Sequence, residues 1–134
     1  MVLPDQLKSL GFLVVEDNAF TSMELCRALR SLGAFTIEIA TEGREALHKL
    51  DSMSPAPHVV LVDLRMPGMG GTELLDRLAE RRFGGYVIIS SGVDSETLAA
   101  VENQARTSGL NLKPSLGKPL DRQALAASLE GIVT

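Results

Sequence analysis

Cysteine occurs once, so no internal disulfide and no thiolate metal cluster can staple the chain. Cys26 sits among apolar neighbours and reads as a small buried hydrophobe in a reducing compartment. Positive charge is also scarce: 13 Lys and Arg against 17 Asp and Glu leave a formal net charge of −4. Nucleic acid and anionic membrane are themselves negative, so direct nucleic-acid binding and membrane binding are not expected. No apolar run is long enough to span a bilayer, and the N-terminus lacks the basic, apolar and small-residue sections of a signal peptide. The expectation is a cytoplasmic protein. Repeats, low-complexity tracts and interdomain linkers are missing too, and 134 residues suit one domain that buries its own core, so 1–134 is expected to form a single domain.

What the chain does have is a regular alternation of short apolar runs with segments of helical period, the pattern of parallel strands joined by crossover helices. Five strand-then-helix units emerge. The expected strands are Phe12 to Glu16, Phe35 to Ala40, Val59 to Val62, Tyr86 to Ile89 and, most weakly patterned, Leu110 to Leu116. Pro114 lies within the last of these and cannot donate to a ladder, which assigns it to an edge strand or a bulge. A first helix begins near Asn18, carries Leu25, Cys26, Leu29 and Leu32 on one face and stops at Gly33. A short second helix runs from Glu42 to Leu50 before a proline-containing loop, Ser52 to Pro57. The third is built on Leu74, Leu75 and Leu78. Asp94 caps a fourth that ends at Gly109, and Asp121 caps a fifth with Leu125, Leu129 and Ile132. Units of this size suit an open doubly wound α/β sheet, whose ligands sit in the crevice beyond the carboxyl ends of the strands.

The polar candidates fall at that end. Glu16 and Asp17 close the first strand, Asp63 the third, Ser90 and Ser91 the fourth, and Lys118 with Pro119 follows the fifth. If the first and third strands are neighbours, three carboxylates crowd one pocket, at a cost that a cation between them relieves. Mg²⁺ suits such a site because it takes hard oxygen ligands and commonly bridges carboxylates to phosphate. A carboxylate such as Asp63 can attack phosphorus and form an acyl phosphate, while Lys118 and Ser91 supply a positive charge and a hydroxyl to the phosphoryl oxygens. Each residue alone also fits a plainer role: Asp17 with Asn18 as a helix cap, Asp63 as a strand end before a turn, Lys118 as a solvated loop lysine, the two serines as the end of a strand. Four signals in order, each at the same end of a separately inferred strand, favour the chemical reading. His48 and His58 have no metal partner at helical spacing and read as structural or solvated. Met66 and Met69, flanking a turn, read as packing residues.

Val14-Val15-Glu16-Asp17-Asn18, Val62-Asp63-Leu64-Arg65-Met66-Pro67-Gly68-Met69, Ile89-Ser90-Ser91-Gly92 and Lys118-Pro119 together resemble the receiver domains of bacterial two-component response regulators. Asp63 lies 46 positions after Asp17 and 55 before Lys118, close to the layout of that family. The resemblance implies a flavodoxin-like (βα)5 fold with strand order 2-1-3-4-5. It also implies a phosphoacceptor role for Asp63, direct Mg²⁺ ligation by Asp17, Asp63 and the backbone carbonyl of Arg65, and action of Glu16 through water. Ser91 rather than Ser90 matches the hydroxyl switch position, since a small residue, Gly92, follows it; a register shift of one residue would reverse that choice. Such domains are not enzymes with an external substrate but assist their own phosphorylation and dephosphorylation. Implied partners are a histidine kinase or phosphotransfer protein and an output domain or partner protein contacting the face of the fourth helix, fifth strand and fifth helix; a homodimer is among the assemblies the resemblance allows. Two departures stand out. Ser115 occupies the place, three before the lysine, where the family often has an aromatic switch residue, and the stretch from Ser91 to Lys118 is a few residues longer than usual. That longer stretch, with Phe20 after Glu16-Asp17, is similar to receivers attached to EAL-type cyclic-di-GMP phosphodiesterase domains.

Rival readings are a degenerate receiver acting as a phosphorylation-independent interaction module, a dehalogenase-like phosphatase and a flavin carrier. The phosphatase wants a second acid where Arg65 stands. The flavin carrier wants a Ser-, Thr- and Gly-rich loop where the chain reads Asp17-Asn18-Ala19-Phe20.

Overall fold

Unbroken apolar runs become the middle of one parallel sheet. The structure, a computed structural model, describes residues 4–132. The chain runs α1 (Pro4–Leu7), β1 (Gly11–Val15), α2 (Ala19–Ser31), β2 (Thr36–Ala40), α3 (Gly43–Ser52), β3 (Pro57–Val62), α4 (Gly71–Glu80), β4 (Tyr86–Ile89), α5 (Ser95–Thr107), β5 (Asn111–Leu112) and α6 (Arg122–Leu129). The strand order is β2-β1-β3-β4-β5, all pairs parallel, which is the doubly wound (βα)5 arrangement expected from the sequence. Among the described residues no helix is long and apolar enough to cross a membrane.

The central strands are apolar at consecutive positions because both faces are covered and successive side chains point to opposite sides. Leu13 and Val15, with Val60, Val62, Val87 and Ile89, face Ala46, Leu74, Leu78 and Ala105 of α3, α4 and α5. Phe12 and Val14, with Val59, Leu61 and Ile88, face Leu25, Leu29, Leu125 and Leu129 of α2 and α6. Full burial of each such Val, Leu, Ile or Phe side chain contributes roughly 1.5–3 kcal/mol. Cys26 is buried and unpaired in this second layer, as read from its neighbours.

The caps follow the sequence closely. Asn18 Oδ1 accepts from Thr21 N–H at 3.0 Å, Asp94 Oδ1 from Thr97 N–H at 3.0 Å, and Asp121 Oδ1 from Gln123 N–H at 2.9 Å. Glu42 accepts from Arg44 N–H at the start of α3. Gly33 (φ 114°) and Gly109 (φ 97°) take the left-handed turns that stop α2 and α5.

Several boundaries differ from those expected. The one-turn α1 is too short to show a period, yet its Leu7 is fully buried. β1 runs from Gly11 to Val15, so Glu16 lies past the strand, and β2 starts at Thr36, leaving Phe35 exposed. The second of the expected helices, α3, continues to Ser52. β3 starts at Pro57, and the extra residue His58 sits in an irregularity where Gly11 pairs Pro57 but Phe12 pairs Val59. The expected fifth strand, Leu110 to Leu116, is a two-residue ladder plus an isolated bridge between Leu116 and Ser90, with Pro114 in the gap. Pro114 has no N–H for a ladder, so pairing stops before it and resumes after. α6 ends at Leu129, and Ile132 packs on the core from beyond it.

Candidate functional site

Register brings the acids together. Val15 of β1 is paired with Val62 of β3, and Asp63 N–H donates to Val15 O at 3.0 Å, so the residues following the two strands emerge side by side. β4 lies on the other side of β3, with Val62 paired to Ile89 and Ser90 N–H on Val62 O at 2.9 Å. Ser91 N–H bonds Leu116 O at 3.1 Å, which ties the end of β4 to the segment that carries Lys118. The Lys118–Pro119 peptide bond is cis.

One carboxylate oxygen each from Glu16, Asp17 and Asp63 lies within 4.8 Å of the others. Glu16 and Asp63 are buried and Asp17 is exposed. Lys118 reaches over from beyond β5, its Nζ 2.8 Å from Glu16 Oε1 and 3.2 Å from Asp63 Oδ2. The second oxygen of each buried acid is held by backbone: Asn18 N–H donates to Glu16 Oε2 at 3.1 Å, and Arg65 N–H to Asp63 Oδ1 at 3.1 Å. Burial pushes the Glu16 carboxyl above its ordinary pKa, with the Lys118 hydrogen bond opposing, and Asp63 adds to the rise. For Lys118 burial acts downward, but its hydrogen bonds to Glu16 and Asp63 outweigh it and raise the ammonium above its ordinary value. Among the described residues Lys118 pairs with two of the three carboxylates, so the pocket keeps an excess of negative charge lined by hard oxygens. That donor chemistry fits a divalent cation of the Mg²⁺ type.

Asp17, Asp63, Glu16, Lys118 and the backbone of Arg65 therefore share one pocket. Asn18, read from sequence as a cap, both caps α2 and holds Glu16. Ser90 and Ser91 are both buried; Ser91 Oγ accepts from Val93 N–H at 3.3 Å within its own loop. The direct Glu16–Lys118 pair was not expected from sequence, where Glu16 was assigned only to the metal; the length of a glutamate side chain is the local signal for that reach. Of the remaining flagged residues, His48 is exposed, and His58 Nδ1 accepts Gly11 N–H at 2.8 Å across the β1–β3 irregularity, a structural role. Met69 is buried against Gly43, and Met66 packs on the core.

The arrangement has counterparts. A family model described as the response regulator receiver domain matches residues 12–130. The chemotaxis protein CheY of Treponema pallidum is 29% identical over 121 residues, 90% of this chain and 81% of that protein. The cyclic di-GMP phosphodiesterase RocR of Pseudomonas aeruginosa is 31% identical over 123 residues, 92% of this chain but only 31% of that protein. Among solved structures, a chain of the CheX–CheY–BeF3–Mg²⁺ complex from Borrelia burgdorferi superposes with a TM-score of 0.81 at 28% identity, covering 98% of both chains. With the family model matching residues 12–130 and the sheet in the order β2-β1-β3-β4-β5, the chain belongs to the response regulator receiver domains of two-component signalling.

Proposed function

We propose that the chain, 1–134, works as one receiver unit whose Asp63 accepts a phosphoryl group from a histidine kinase or phosphotransfer protein. The observation that carries the reading is the convergence of Lys118 Nζ, 3.2 Å from Asp63 Oδ2, with three carboxylates within 4.8 Å of one another. A carboxylate oxygen of Asp63 forms the new bond to phosphorus as the bond from phosphorus to the donor's histidine nitrogen breaks, and the freed imidazole takes up a proton. Lys118 donates to one phosphoryl oxygen, and the Ser91 hydroxyl donates to another. Asp17, Asp63 and the backbone carbonyl of Arg65 would hold Mg²⁺, with Glu16 through water, and the ion would supply charge neutralisation at the attacking and phosphoryl oxygens.

The phosphoryl group then biases an equilibrium between two arrangements of the face made by α5, β5 and α6, where an output domain or partner protein docks. The likeness to RocR supports an output of the cyclic-di-GMP phosphodiesterase class. Incubation with acetyl phosphate and Mg²⁺ followed by intact mass is expected to add one phosphate-sized increment, lost in Asp63→Asn. An unmodified wild-type chain would instead favour the phosphorylation-independent module.

A further inference from the structure

The segment from Pro114 to Leu116 is tied to three elements at once. Ser128 Oγ, on a fully buried residue of α6, donates to Pro114 O at 2.6 Å. Leu116 N–H donates to Ile89 O at 2.7 Å, and Leu116 O accepts from Ser91 N–H at 3.1 Å. Between them, Ser115 Oγ donates to Glu102 Oε2 of α5 at 2.6 Å. This side-chain hydrogen bond joins α5 to the segment between β5 and α6. α5 is otherwise lightly seated: Ala105 is its buried residue, with Leu98 and Val101 packed on the core in part. A groove of about 160 Å³ separates it from α4, lined by Thr72, Leu75, Ala100, Val101 and Gln104.

We propose that Ser115 and Glu102 form a latch that holds α5 in the position it takes here and opens when Asp63 carries a phosphoryl group. The proposal rests on the phosphoacceptor reading of Asp63. Among the described residues no hydrogen bond joins the Ser91 hydroxyl to Asp63, and Ser91 Oγ is engaged with Val93 N–H. To reach a phosphoryl oxygen, Ser91 draws in the end of β4. Leu116 follows, because both of its backbone groups are bonded to that end. Pro114 stays, because Ser128 holds it to α6. The resulting strain falls on Ser115, the residue between a moving and a fixed neighbour, and its 2.6 Å bond to Glu102 is the contact that yields. Freed from Ser115, α5 has the groove beside α4 to move into. The latch thus takes over, by polar means, the coupling that an aromatic side chain at position 115 would carry by rotation.

The test uses the full chain and beryllofluoride with Mg²⁺ as the phosphoryl mimic, followed by the amide resonances of Ser91 and Val101. A latch that must open lowers the apparent affinity for the mimic, since binding competes against the latched population. Ser115→Ala and Glu102→Ala are each expected to bind beryllofluoride about tenfold more tightly than wild type. The double variant should be no tighter than either single, because both remove the same bond, and Ser115→Thr, which keeps the hydroxyl, should retain wild-type affinity. Alanine suits a helix, so Glu102→Ala tests the bond even if the other single variant folds poorly. A purely structural bond would leave the affinity unchanged or weaker in both single variants, and that result overturns the latch while a wild-type response at Ser91 keeps the phosphoacceptor reading. No response at Ser91 in the wild type overturns both.

Discussion

Replacing Lys118 with methionine leaves Glu16 and Asp63, 2% and 4% exposed, facing each other with no cation at hydrogen-bond distance. The two consequences have opposite signs. On the proposed phosphoacceptor reading, acyl-phosphate yield from acetyl phosphate should fall on the order of a hundredfold, because the ammonium proposed to meet a phosphoryl oxygen is gone. On the same reading Mg²⁺ affinity should rise about tenfold, since the Lys118 charge, paired with Asp63 and Glu16, repels a cation held beside them. Intact mass and calorimetric titration read the two effects, and a parallel loss of both would contradict the assignment. Glu16 also carries a pH signature. Its folded carboxyl is raised above its ordinary 4.5, so the native state keeps the proton to higher pH than the unfolded chain. From 4.5 up to that raised value, folding stability therefore declines as pH rises, and then levels off. Lys118, raised above its ordinary 10.5, contributes stability that is complete below that value and is lost as pH climbs through the higher native one. Urea denaturation without Mg²⁺ should show the acid-side decline in wild type and not in Glu16→Gln; identical profiles would assign the decline elsewhere.

At the scale of elements, α4 starts hard against the loop that carries Asp63. A Cβ on Gly71 would lie 2.2 Å from Asp63 O and 2.6 Å from Leu64 Cα, both backbone atoms that cannot swing aside. Gly71→Ala should cost about 2–3 kcal/mol and slow phosphorylation as α4 is pushed off the site. Gly117→Ala, with open space around its new methyl, should be within about 0.5 kcal/mol of wild type although it adjoins Lys118. Equal losses from the two variants in chemical denaturation would show that crowding at α4 is not the cause. The same close fits mark where the sequence was legible. Uniform apolar runs announced β1, β3 and β4, because burial on both faces leaves that composition, and Asn18, Asp94 and Asp121 announced their helices through hydrogen bonds made within three residues. Asp63 and Lys118 could be placed because strand ends are local features. β5 could not be bounded, since its pairing is interrupted at Pro114 and resumes only where Leu116 meets Ser90. The Glu16–Lys118 pair joins residues 102 positions apart, and Ser115–Glu102 depends on the path of the loop after α5; neither leaves a periodic trace.

For the whole molecule, the cluster of Glu16, Asp17 and Asp63 sets folding against the proposed function. Three acids are gathered at the ends of two central strands, two of them buried, and a single ammonium offsets them. The register of β1 against β3 brings the residues after the two strands side by side, and with Glu16 and Asp63 buried their repulsion opposes folding. A ligand that binds the folded pocket and not the unfolded chain returns that stability by mass action. Mg²⁺ at a hundredfold excess over its dissociation constant should raise the unfolding free energy by about 2.7 kcal/mol, roughly 10 °C in thermal midpoint for a chain of this length. Asp17→Asn removes the exposed member of the cluster and leaves both buried contacts of Lys118 in place. Its midpoint without the ion should equal or exceed that of the wild type, and should no longer climb with Mg²⁺. Thermal scans of both proteins across a Mg²⁺ series, with Ca²⁺ and Na⁺ at matched ionic strength, decide the matter. A midpoint that rises equally in both proteins would mean that the ion acts by screening and that the three carboxylates do not form a binding site.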